Sequence, residues 1–183
     1  MSSHPGGVLH VLAIGINKFG DKAGGLHLDY AAEEAHDVAT ALLESQKGSP
    51  GKASLYADVS FAYLPNDKAD SAAILDALDD MARGMARNDQ NVAVILVSSH
   101  GEMIDKQFYL IPYGFDAGSP GKSIKSAVSA SEFAKKVQAL AKYGKVLLLL
   151  DACHSGAAVP KVGRPTPTPR SSRTPWTSKT SPS

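Results

Sequence analysis

Two stretches of the chain, Val92–Val97 and Val146–Leu150, are apolar at every position. The first, Val92–Val97, predicts a strand covered on both faces, as in a parallel sheet, and Val146–Leu150 reads as the last strong strand. A third run, Val8–Ile16, is interrupted by His10 and Gly15 and stops at Asn17, before a loop holding Gly20, Gly24 and Gly25. It also predicts a buried strand. Leu55, Ala57, Val59, Phe61 and Tyr63 alternate with more polar residues, the pattern of a strand with one buried face.

Between these strands the period changes from 2 to about 3.6 residues. Leu28, Ala31, Ala35, Val38, Ala39 and Leu42 recur at helical spacing, with Asp29 placed as the N-cap. Ile74, Leu75, Leu78, Met81, Ala82 and Met85 form a second stripe. Phe133, Val137 and Leu140 form a third, opened by Ser129 and Glu132 at capping-box spacing and closed by Gly144. Residues 47–52 read as a turn-rich connection, and Phe108–Ile111 as an arm of a short hairpin. Strand and helix thus alternate along the chain. Such alternation predicts an α/β three-layer sandwich, with a mostly parallel sheet and helices on both faces.

Composition divides the chain in two. Residues 157–183 carry six of the 11 prolines, ten Ser or Thr, five basic side chains and none of the 18 acids. They predict a disordered basic tail behind a mildly acidic folded body at 8–156. The only aromatic residue of the tail is Trp176. With so little to stack on bases, the tail reads as a solvated end, and no nucleic-acid partner is expected. No apolar run approaches the roughly 20 residues that span a bilayer, and no Lys or Arg precedes the first run. No membrane association is expected and a cytoplasmic location is the default. One cysteine, Cys153, excludes an internal disulfide, a CxxC pair and a multi-cysteine zinc site. No His/Asp cluster has metal-ligand spacing, so neither metal nor cofactor is expected. His27 and His36 read as surface residues.

The chemistry gathers where the two uninterrupted strands end. One runs into Ser98-Ser99-His100-Gly101, the other into Asp151-Ala152-Cys153-His154-Ser155-Gly156. Active groups of open parallel sheets collect beyond the carboxyl ends of the strands. If the two strands are neighbours, His100 and Cys153 emerge on one rim. An imidazole within reach of a thiol activates it as a nucleophile. The amides of Gly101 and Cys153 are candidate donors to an oxyanion. Alone, either residue is more simply a small core residue or a structural histidine; the two matched strand ends favour a nucleophile and its base. His154 adjoins the cysteine in a supporting role at most.

These motifs, with Ala13-Ile14-Gly15 and Leu28-Asp29-Tyr30-Ala31-Ala32-Glu33-Glu34-Ala35, resemble the caspase-like cysteine peptidases. The form Asp-x-Cys-His-Ser-Gly is similar to the metacaspase and bacterial branch. The resemblance spans about 8–156 and implies a Cys–His dyad at Cys153 and His100. It implies a cysteine-type endopeptidase acting on polypeptides after Arg or Lys, with Asp151 in the S1 pocket. The family's second S1 acid aligns with Glu34, where Glu replaces Asp; Asp29 is the other candidate. Asp151 as a helix cap and Glu34 as a solvated first-turn acid are the plainer alternatives. The resemblance covers only the large-subunit portion, so the C-terminal strands are expected to be lacking. The alternative function is therefore an incomplete, catalytically weak module that acts in protein–protein interaction, including a homo-oligomer formed through the open sheet edge.

Overall fold

The computed structural model of the protein describes residues 6–46 and 54–152. The first strand, β1 (Val8–Gly15), leads to helix α1 (Ala31–Gln46) and strand β2 (Asp58–Pro65). Helix α2 (Ser71–Met85) and strand β3 (Val92–Ser99) follow. A hairpin, β4 (Gly101–Ile104) and β5 (Gln107–Leu110), then leaves the main sheet. Helix α3 (Pro120–Ser126), strand β6 (Val128–Ser129), helix α4 (Ala130–Leu140) and strand β7 (Lys145–Ala152) complete the described chain.

Among the described residues the main sheet has four strands in the order β2-β1-β3-β7, all parallel. The two uninterrupted apolar runs are indeed neighbours: β3 pairs with β7 from Val92↔Lys145 to Ser99↔Ala152. Because side chains alternate across a strand, each strand feeds two cores. Leu12, Ile14, Ala93, Ile95, Val97, Val146, Leu148 and Leu150 face α2 and α4, which contribute Ile74, Leu78, Met85, Phe133, Val137 and Leu140. Leu9, Val11, Ala13, Val94 and Leu96 face α1, which contributes Ala35 and Ala39. Helices therefore lie on both faces, as the alternation predicts, although Leu147 and Leu149 of β7 stay exposed on the α1 side. Each large side chain fully buried in this way stabilises the fold by about 1.5–3 kcal/mol relative to exposure.

The small residues of α1 have a steric role. A Cβ on Gly15 would lie 2.4 Å from Ala32 Cα and 2.5 Å from the Ala31 carbonyl oxygen. The first turn of α1 thus rests directly on the backbone at the end of β1, which only glycine permits. The helix also begins later than Leu28. Asp29 does not cap it; its carboxylate meets the His27 ring at 3.0 Å. The Ala32 amide is instead accepted by the Asn17 side chain at 2.8 Å, from the end of β1.

Other boundaries differ for local reasons. Leu55 is 77% exposed, and the ladder to β1 begins only at Asp58. As the outer strand of the described sheet, β2 has no fully buried face. Gly144 does not cap α4, which ends at Leu140. A Cβ there would lie 2.4 Å from the Asn91 carbonyl oxygen, so this glycine serves close approach before β7. The short α3 has no apolar stripe; its sequence signal is Pro120 in the first turn.

The hairpin expected around Phe108–Ile111 is present, turning through Asp105 and Lys106 at φ 50° and 63°. Successive left-handed residues match the twist of a two-residue hairpin loop. β5 then pairs with β6, giving a small antiparallel sheet beside the main one. The hairpin leaves the main sheet at one residue, His100.

Candidate active site

His100 occupies the single position between the last residue of β3 and the first of β4. Its backbone is held on both sides. The Ile111 amide donates to the His100 carbonyl at 2.9 Å, and the buried Ser99 hydroxyl donates to the Ile111 carbonyl at 2.7 Å. Its ring lies against Phe19, with centroids 5.1 Å apart. Its Nε2 is 3.2 Å from the backbone carbonyl oxygen of His27. A carbonyl only accepts, so Nε2 carries the proton in this contact. In the neutral ring, Nδ1 is then left with the lone pair that takes up a proton.

The β3–β7 register brings position 152 beside Ser99, one residue short of His100 and of Cys153 on their respective chains. Cys153 lies outside the described residues, as do His154 and the tail at 157–183. Gly101 opens β4, paired with Leu110.

A cleft of about 490 Å³ lies on the α1 side of this rim. Glu34, Ala35 and Val38 of α1 form one wall, and Leu149, Leu150 and Asp151 of β7 the other, over Leu96, Val97 and Ser98 of β3. The apolar floor carries two carboxylates, Glu34 and Asp151, on facing walls. Of the two candidates for a second acid, Glu34 lines this cleft; Asp29 lies on the preceding loop, paired with His27. A planar cation with an aliphatic stem suits such a site, since the stem covers the apolar floor and the head meets the carboxylates. A larger cavity, about 790 Å³, opens on the opposite face between α2 and the β1–β2 pair; it contains neither His100 nor Asp151.

Three contributors were not singled out from the sequence. The His27 carbonyl orients His100 through backbone atoms, which side-chain identity cannot signal. Phe19 packs on the ring across a loop. Asn17 is only 8% exposed, and the sequence placed it merely at the end of a strand. Its Nδ2 donates to Glu33 Oε2 at 2.7 Å, and that hydrogen bond is the main cause holding the Glu33 carboxyl below its usual range. A buried, polar strand-end residue is the signal that would have found it.

The caspase domain family, peptidase C14, matches residues 9–182, and the chain belongs to that family of cysteine peptidases. Among solved structures, the protein GSU0716 from Geobacter sulfurreducens has a similar fold, with a TM-score of 0.58 at 18% identity. The likeness covers 79% of this chain and 50% of that one, so the chain spans about half the length of the solved protein it matches. No curated protein sequence matches the chain. Among the described residues, no helix is long and apolar enough to cross a membrane.

Proposed function

We propose that the protein is a cysteine endopeptidase that cleaves polypeptides after Arg or Lys. One observation carries this reading: the cleft beside the His100 strand end holds Glu34 and Asp151 on opposite walls of an apolar floor. The substrate's P1 cation enters that cleft and its scissile carbonyl lies on the rim. Cys153 gives its proton to His100 Nδ1, and the sulfur attacks the carbonyl carbon. The amides of Gly101 and Cys153 donate to the developing oxyanion. The C–N bond breaks as His100 returns the proton to the leaving amine. Water, deprotonated by His100, then hydrolyses the thioester. An acidic P1 residue would bring a third carboxylate against two, with no counter-charge among the described residues that line the cleft.

The test is hydrolysis of fluorogenic peptides ending in Arg, Lys or Asp, by the full chain and by Cys153→Ala. Turnover of Arg and Lys peptides that disappears in the variant supports the reading. Turnover of the Asp peptide at an equal or higher rate refutes the pocket.

A second reading, a cytoplasmic module that binds a partner or a second copy through its sheet edge, is favoured by one observation. Leu147 and Leu149 of β7 are 54% and 43% exposed on an outer strand of the described sheet. Apolar edges of this kind accept another strand.

A further inference from the structure

We propose that Asn17 is a positioning residue that sets the S1 carboxylate and the catalytic imidazole from one buried amide. The proposal rests on the peptidase reading above. Asn17 stands where β1 ends, and every polar group it carries is engaged. Its Oδ1 accepts from the Ala32 amide at 2.8 Å, fixing the first turn of α1, the turn that carries Glu34. Its Nδ2 donates to Glu33 Oε2 at 2.7 Å and lies 3.4 Å from the Asp29 carbonyl oxygen. Its backbone carbonyl accepts from the Leu28 amide at 3.0 Å. Its own amide donates to Asn66 Oδ1 at 2.9 Å, beyond the end of β2.

These contacts bracket His27. Leu28 and Asp29, the next two residues, are both bonded to Asn17, and Lys18 forms a bridge with His27 itself. The His27 carbonyl is the group that meets His100 Nε2. Helix, loop and imidazole are therefore referenced to the same residue. A buried amide can serve so many partners because it offers donors and an acceptor on one short, rigid stem. Asn17 touches no reacting atom in this role; it acts through Glu34 and through His27.

The test exchanges donor and acceptor. Asn17→Asp keeps the acceptor for Ala32 but loses the donor, and sets a second carboxylate against Glu33. Combining it with Glu33→Gln restores the link with its polarity reversed, since the introduced glutamine amide now donates to the new carboxylate. Asn17→Asp is expected to lower kcat/KM on an Arg peptide about tenfold, the strength of a charge-assisted hydrogen bond. The loss should appear both in KM, through the cleft, and in kcat, through the histidine. The double variant should recover to within about threefold. Glu33→Ala, at an exposed position, is the milder variant should Asn17→Asp not fold, with a smaller loss in the same direction.

The second readout is independent of hydrolysis: the imidazole nitrogen signals of His100 in the 15N-labelled full chain. Wild type should hold the Nε2–H form, Asn17→Asp should shift it, and the double variant should return it. A wild-type chain inert toward Arg peptides but with this pattern of shifts would remove the peptidase reading and keep the positioning role. Unchanged His100 signals in Asn17→Asp, or rates that follow melting temperature alone without rescue, would overturn it.

Discussion

His100 Nε2 is turned to a backbone carbonyl 3.2 Å away, which in the proposed reaction leaves Nδ1 to carry the proton between thiol and leaving amine. His100→Ala and Cys153→Ala should each abolish hydrolysis. Since His100 is at a junction and outside both apolar cores, circular dichroism and melting of His100→Ala should stay close to wild type. The two cleft acids differ in reach. Asp151 projects from a strand by a short stem, whereas Glu34 reaches from a helix by a longer and more adaptable one. Asp151→Asn should therefore weaken turnover of Arg peptides more than Glu34→Gln does. The reverse order in kcat/KM would move the main counter-charge to the helix.

A different histidine, His10, is expected to contribute to the dependence of stability on pH. His10 lies in β1 with its ring against Gly84; a Cβ on that glycine would meet the ring at 2.6 Å. Its Nε2 is buried without a hydrogen-bond partner. Burial holds its pKa below the ordinary 6.5, the Arg87 charge adds to the effect, and Asp58 opposes it. The unfolded chain thus takes up a proton at a higher pH than the folded one. Stability from this group is full above about pH 6.5 and falls as the pH drops through that value toward the folded pKa. Urea midpoints should decline less between about pH 7.5 and pH 5.5 in His10→Phe than in wild type. Parallel declines in the two proteins would assign the acid sensitivity elsewhere.

Among the elements, the two longer helices after β2 each open on a side-chain cap. Asp70 accepts from the Ala73 amide at 2.8 Å at the start of α2, and Ser129 accepts from the Glu132 amide at 3.2 Å at the start of α4. Asp70→Ala should cost about 1 kcal/mol of stability, measured by urea unfolding, and leave cleavage specificity unchanged. The capping pair Ser129 and Glu132 was legible because its partners are three residues apart. The start of α1 was not, because its cap comes from Asn17, fifteen positions upstream and on another element. The same distinction separates the two halves of the site. His100 and Asp151 were legible as the ends of apolar runs, while the adjacency of those runs, which the sequence left conditional, comes from the β3–β7 pairing. The His27 carbonyl and the Asn17 network follow from tertiary folding of a loop, where neither spacing nor residue type carries a signal. Gly144 is a similar case: glycine is legible, but whether it ends a helix or admits a neighbouring carbonyl depends on Asn91 across the fold.

For the whole molecule, the described sheet ends at β7, whose Leu147 and Leu149 are exposed toward the α1 side. An outer parallel strand presents unpaired amides and carbonyls along its length. Full-length chain should therefore self-associate at micromolar concentration, which sedimentation velocity would detect. Leu149→Lys should weaken the association by placing charge on that face. A monomer that cleaves Arg peptides rapidly would show that the edge needs no partner.

The contact of Gly15 with Ala31 and Ala32 gives the cleft a further property. One jaw is mounted on main chain pressed against main chain, with no side chain between to act as a cushion. With α1 seated this closely on β1, the opening between α1 and β7 is expected to hold its width, like a calliper locked at one reading. Shortening a jaw tip cannot be made good by the helix moving inward. Glu34→Asp would retract the charge by one methylene, and the ligand would have to supply the missing length. Relative to wild type, that variant should favour a P1 side chain one carbon longer, homoarginine over arginine, measured as the ratio of kcat/KM for the two peptides. Gly15→Ala, which forces the jaws to shift, should blur the discrimination altogether.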